Sequence, residues 1–239
     1  MKAGVIVNVR PANYRDRFHE AFAPIGWTIL DSPVLVPESM NAVTPDPGGF
    51  DAVIFTSQVA VETLGEGWRD KTAFAVGAAT AEAARRAGFT RTVQTGLDSK
   101  DLAAALAAAG FRQALYPSAE DVSADVSLDD PVRIRRIATY RMSASAHLSA
   151  EVVERARARE TMIIPLFSRR SARTVQDLLA KAGLTAQNAV LGAVAISPDV
   201  FPGEPGPWQR RSVADKPTLE AVVAASATMA EDLIPEATR

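Results

Sequence analysis

Hydroxyl-bearing and small residues gather at four places where a strand-like run gives way to a helix-like one. These are Phe55-Thr56-Ser57, Val76-Gly77-Ala78-Ala79-Thr80, Phe167-Ser168-Arg169 and Ile196-Ser197-Pro198. In open parallel sheets, ligands sit beyond the carboxyl ends of the strands. The first helical turn there presents unpaired backbone N–H groups and the positive end of a dipole, which suits carboxylates or phosphates. Small residues such as Gly77 and Ala78 let a ligand approach the backbone, while Thr56, Ser57, Thr80, Ser168 and Ser197 add donors. Each hydroxyl also fits the role of an ordinary helix N-cap, worth about 1 kcal/mol. Arg169-Arg170 has two readings as well, an anion contact or an exposed charge pair at a helix start. The recurrence of the same turn in both halves of the chain favours an anionic ligand held between two lobes.

Other chemistries find little support. The chain has no cysteine, which excludes disulfides, thiolate zinc sites, iron–sulfur clusters and thiol nucleophiles. Its two histidines, His19 and His147, stand in no metal-ligand spacing and give a Ser-His-Asp arrangement little basis. No metal site is expected. Val76-Gly77-Ala78-Ala79-Thr80 lacks the glycine spacing of a dinucleotide fingerprint or a Walker loop. The acidic pairs Glu120-Asp121 and Asp129-Asp130 read as solvated loop residues rather than as an acid/base pair. With a formal net charge of −2 and scattered Lys and Arg, the chain has no concentrated basic face for nucleic acid. Residues 1–10 lack a signal peptide's cationic and apolar stretches, and no apolar run approaches the ~18 residues of a membrane span. A cytoplasmic protein without membrane attachment is expected.

The elements that must position those turns alternate along the 239 residues, 47% of which are hydrophobic. Short β-rich runs and Ala-rich helical patterns follow one another, the signature of an α/β protein with parallel sheets. Strands are expected at Ala3–Val9, Trp27–Val36, Asp51–Thr56, Thr72–Val76, Gln113–Tyr116, Thr161–Phe167, Ala189–Ile196 and Arg210–Ala214. Arg133–Tyr140 alternates charged and apolar residues, as a two-stranded ribbon exposed on one side does. Helices are expected at Tyr14–Pro24, from Gln58, and at Ala78–Ala87, Lys100–Ala109, Leu148–Arg159, Ser171–Ala182 and Thr218–Met229. Ser99 is placed to cap one of them, and Gly88, Gly110 and Gly183 to end three. Loops are marked by Pro45, Pro47, Gly48 and Gly49, and by Pro202, Pro205 and Pro207. A faint internal repeat sets Phe55, Thr56 and Ala60 against Phe167, Ser168 and Ala172, and Ala75-Val76-Gly77-Ala78 against Ala195-Ile196-Ser197-Pro198. It suggests two similar lobes rather than a longer array.

On these residues the sequence resembles the uroporphyrinogen-III synthase family. Val7-Asn8-Val9-Arg10-Pro11, followed by Gly26 and Pro33, is similar to the family's opening strand, Arg-Pro turn, helix and second strand. Phe55-Thr56-Ser57 with Ala60-Val61, and Ala75 to Ala81 with Gly88-Phe89, match further segments. Leu115-Tyr116-Pro117, Ala138-Thr139-Tyr140-Arg141, Phe167-Ser168 with Ser171-Ala172, and Ala214 to Leu219 continue the likeness over nearly the whole chain.

The resemblance implies two flavodoxin-like lobes with parallel sheets, one of them discontinuous, joined by a two-stranded linker. The lobes are placed at 1–36 plus 142–239 and at 37–141. It implies a cofactor-free monomer that binds hydroxymethylbilane in the inter-lobe cleft, with at most a transient contact to the preceding deaminase. Substrate-binding positions would be Arg10, Thr56, Ser57, Gly77, Ala78, Thr80, Ser118, Ser168, Arg169 and Ser197. Tyr140 matches the tyrosine expected to help the hydroxyl depart, and packing on the linker is its structural alternative. In the implied reaction, water is lost, the far ring attacks through its substituted carbon, and a spiro intermediate recloses with that ring inverted. Holding one conformation is the main task, because the substrate cyclises unaided to the unrearranged isomer. Three features depart from the family pattern: Ser118 in place of a common Arg, Asp199 after Ser197-Pro198, and Pro165 inside a strand. Competing readings are a non-catalytic tetrapyrrole binder or sensor, a periplasmic-type binder, and a nicotinamide or flavin enzyme.

Overall fold

A computed structural model describes residues 4–95, 99–121, 132–201, 203 and 206–233. Ala3, the pair Asp129-Asp130 and the loop prolines Pro202 and Pro205 lie outside these residues. The chain divides into two compact units, residues 1–36 with 144–239, and residues 37–143.

Among the described residues the first unit has five strands, β1 (Val5–Asn8), β2 (Thr28–Asp31), β9 (Thr161–Leu166), β10 (Val190–Ala195) and β11 (Arg210–Val213). They form one sheet in the order β11-β10-β9-β1-β2, every recorded pair parallel. Helices α1 (Arg15–Phe22), α5 (Ala150–Arg157), α6 (Arg169–Lys181) and α7 (Leu219–Leu233) complete it. Burial explains the strand composition: Val5, Ile6, Val7, Met162, Ile163, Ile164, Ala193, Val194 and Ala195 are all at most 1% exposed. A parallel sheet covered on both faces needs continuous apolar runs rather than alternation. Ile6, Ile163 and Val194 share one cluster with Phe18 and Phe22 of α1 and Val222 and Met229 of α7. Phe18 and Phe22 stack with centroids 4.1 Å apart.

The second unit carries β3 (Leu35–Ser39), β4 (Ala52–Phe55), β5 (Thr72–Val76), β6 (Arg91–Thr95), β7 (Gln113–Ala119) and β8 (Arg133–Ala144), in the order β3-β8-β7-β4-β5-β6. Its helices are α2 (Gln58–Glu62), α3 (Ala78–Arg86) and α4 (Ser99–Ala108). Val53, Phe55, Ala73 and Leu115 bury one face, while Ala52, Ile54, Phe74, Ala114 and Tyr116 bury the other against Leu102 and Leu106 of α4. That is the two-residue period of a strand covered on both sides. Met40 N–H donates to the Thr139 carbonyl and Ser145 N–H to that of Val34. Numbers rise on one strand as they fall on the other, so β3 runs antiparallel to β8.

Several elements differ from the sequence expectation. The run Trp27–Val36 is two strands in two sheets, broken at Ser32-Pro33 where proline removes a donor. Strand β6, not anticipated, is a polar strand at the end of its sheet. The run Arg133–Tyr140 is not a separate ribbon but part of β8, which pairs parallel with β7. A bulge between Ser118 and Ala119 lets Thr139 go unmatched, so the consecutive residues Thr139 and Tyr140 are both buried.

Candidate active site

In each sheet the strand order reverses once, and ligands of doubly wound sheets lie beyond the carboxyl ends at that reversal. The reversal of the first unit falls between β1 and β9, and that of the second between β4 and β7. Both reversals share one feature of the backbone. The β1–β9 ladder runs only to Ile6/Ile163, and the β4–β7 ladder only to Val53/Leu115. Two residues beyond each stands a proline, Pro165 in β9 and Pro117 in β7. The Leu166 carbonyl accepts from Ile196 N–H beside β10, so residue 165 faces β1, where its missing N–H leaves no donor. Pro165, which looked anomalous in the sequence, is thus the counterpart of Pro117.

At the first reversal, the turn after β1 carries Arg10. Its guanidinium lies 3.9 Å from the Tyr14 ring centroid and 4.3 Å from that of Phe167, which follows β9. Burial lowers its pKa from the ordinary arginine value, against the opposing influence of Tyr14. Asn8 Oδ1 accepts from Arg10 N–H at 3.1 Å, which fixes the turn, while Asn8 Nδ2 donates to Asp31 at 2.8 Å. Arg15 and His19 also reach Asp31, so its carboxylate is occupied and does not face Arg10 as a partner. Ser168 caps α6, accepting from Ser171 N–H at 3.1 Å and donating to Ser171 Oγ at 2.9 Å. Arg169 donates to the Asp199 carbonyl at 2.7 Å and lies 4.0 Å from its carboxylate, tying the turn after β9 to the turn after β10. Asp199 therefore has a cationic neighbour. Ser197 precedes the short 3-10 turn Pro198–Val200 and makes no capping bond.

At the second reversal, Ser57 caps α2 by accepting from Val59 N–H at 3.2 Å. The exposed Thr56 pairs its Oγ1 with the Tyr116 hydroxyl at 3.2 Å, bridging β4 and β7. Next along the sheet, Gly77 precedes α3 at φ +82° and ψ 156°, a conformation open essentially to glycine alone. Ala78 is exposed in the first turn of that helix and Thr80 is buried. Ser118 is 2% exposed; it donates to the Ala119 carbonyl and accepts from Arg136 Nε at 2.9 Å.

Tyr140 is 7% exposed and belongs to the apolar cluster of Phe55, Val61, Leu64 and Leu115. Among the described residues no cluster of His, Cys, Asp and Glu could hold a metal ion. None of their helices is long and apolar enough to cross a membrane. Sequence reasoning singled out neither Tyr116 as the partner of Thr56 nor Arg136 as the partner of Ser118. The Leu115-Tyr116-Pro117 motif was signal enough for the first, whereas Arg136 needs the β7–β8 register.

Comparison with known proteins adds an independent line. A protein-family model described as Uroporphyrinogen-III synthase HemD matches residues 16–224. No curated protein matches the sequence at a significant level. Among solved structures, wild-type uroporphyrinogen III synthase from the extremely thermophilic bacterium Thermus thermophilus is similar at 16% identity and TM-score 0.37, covering 96% of this chain and 99% of that one. A triple mutant of that enzyme gives 16% and 0.38 over the same shares. A further Thermus thermophilus uroporphyrinogen III synthase structure gives 17% and 0.37, over 95% and 100%. The family match spans most of the sequence, and on that ground the chain belongs to the uroporphyrinogen-III synthase family.

Proposed function

We propose that this chain converts hydroxymethylbilane into uroporphyrinogen III, as a cyclising hydro-lyase without a cofactor. The observation that carries this reading is the pair of opened strand reversals, each lined by donors suited to carboxylates, in a chain of this family. The acetate and propionate arms are taken up by the turns carrying Arg10, Ser168, Arg169 and Ser197 in one unit. Thr56, Ser57, Gly77, Ala78, Thr80 and Ser118 do the same in the other. Backbone N–H groups at helix starts neutralise carboxylates without a cation for each arm.

Binding energy is spent on one folded conformation of a reactive chain, which is an orientation effect. Loss of the hydroxymethyl oxygen as water leaves an electrophilic azafulvene. The far ring attacks it through the substituted carbon, the spiro intermediate opens, and reclosure inverts that ring. Tyr140 hydrogen-bonds the departing hydroxyl from a ring anchored in the second unit's apolar cluster. We place the protein in the cytoplasm as a monomer, meeting the preceding deaminase only transiently.

The test generates hydroxymethylbilane enzymatically, adds the protein, oxidises the products and separates the porphyrin isomers. Type III as the main product supports the reading. Type I alone, from folded protein, overturns it and leaves a tetrapyrrole-binding relative.

A further inference from the structure

We propose that Arg136 binds a substrate carboxylate at the second unit's strand reversal, an inference that rests on the tetrapyrrole reading. The residue sits on β8 in register with Tyr116 of β7, so both side chains project from the same face. Its guanidinium is held at three points on the end of β7. Nε donates to Ser118 Oγ at 2.9 Å, and Nη2 donates to the Ala119 and Glu120 carbonyls at 2.8 Å each. Among the described residues no carboxylate pairs with it, and Nη1 makes no hydrogen bond.

Other arginines contrast with this: Arg141 pairs with Glu38, Arg155 with Glu151 and Glu160, and Arg210 with Asp232. Neutral acceptors fix the direction of the Arg136 guanidinium. A guanidinium oriented in advance loses little further entropy when a carboxylate arrives. Tyr116, the partner of Arg136 in register, carries the hydroxyl that meets Thr56 across the β4–β7 reversal. Ser118, small and buried, accepts a bond from the guanidinium that reaches over from β8.

The alternative is a structural cap on the last carbonyls of β7, and the test separates the two. Binding of uroporphyrin III, an octacarboxylate, and coproporphyrin III, a tetracarboxylate, is followed by tryptophan fluorescence at two ionic strengths. The full chain, R136Q, R136K and S118A are compared. For loss of a charge-assisted pair, R136Q weakens uroporphyrin binding about tenfold and flattens its salt dependence. R136K recovers part of the loss, S118A loses roughly two- to threefold through the missing positioning bond, and coproporphyrin binding changes less. Unchanged affinity and salt dependence in R136Q, with only a lower Tm, overturns the proposal; if R136Q does not fold, unchanged affinity in both R136K and S118A does so. A protein that binds uroporphyrin through Arg136 yet forms no type III keeps this inference and loses the catalytic one. A wild-type chain that binds no uroporphyrin overturns this inference, while the isomer assay still decides the catalytic one.

Discussion

The two strand reversals share a backbone device but not a chemistry. In both, the ladder between the diverging strands stops two residues before a proline, Pro165 in one unit and Pro117 in the other. A missing donor keeps the sheet from closing where a ligand would enter. Beyond that, the first reversal offers Arg10 stacked on Tyr14 and Phe167, with the Ser168 cap alongside. The second offers hydroxyls, a positive-φ glycine and an arginine that reaches over from the adjacent strand. The opening is set by the backbone, and the charge can arrive from any strand that borders it.

The largest effect that would break this comparison is expected at Arg10. Arg10→Gln should cost about 1.5–3 kcal/mol of transition-state binding, roughly 10- to 100-fold in kcat/KM, with Tm little changed. Steady-state kinetics with hydroxymethylbilane checks it, and an intact kcat/KM would remove the cationic side of the contrast. Next come the turns after β5 and β10. Gly77→Ala forces a side chain into the φ +82° conformation and should cost about 1–3 kcal/mol by urea unfolding. Ser197, at φ −154°, is ordinary extended backbone, so Ser197→Ala should stay within about 0.5 kcal/mol. Equal losses would mean the two turns do not differ in strain. Ser168→Ala should cost about 1 kcal/mol by removing the cap on Ser171 N–H.

The smallest effect concerns the second unit's outer strands. Hydrogen bonds from Arg141 and Ser143 lower the Glu38 pKa to about 2. Because the folded value lies below the ordinary one, any stability from this exposed pair is complete above that ordinary value and is lost as pH falls through about 2. An NMR titration of Glu38 in Arg141→Gln should move back toward the ordinary glutamate range.

Much of this was legible in the sequence because buried parallel strands write themselves as apolar runs, such as Met162-Ile163-Ile164 and Ala52-Val53-Ile54-Phe55. Turn chemistry was legible too, since Ser57, Gly77 and Ser168 stand where helices begin. Pairing was not. The repeat seen in the sequence sets Phe55 against Phe167, whereas position at the reversal sets Leu115–Pro117 of β7 against Ile163–Pro165 of β9. Strand β6 was missed because Arg91-Thr92-Val93-Gln94 is too polar to read as buried. Arg136 was missed because nothing in Arg133 to Tyr140 says which β7 residue each side chain meets. Tyr140 read as a linker residue, yet the bulge beside Ser118 turns it into the core.

The most direct test measures the type III fraction made by the wild-type chain, R10Q and R136Q in one run at limiting protein. If both reversals hold the substrate, the wild-type chain gives mainly type III and each variant yields more of type I, the isomer formed without guidance. A type III fraction unchanged in both variants would contradict the account.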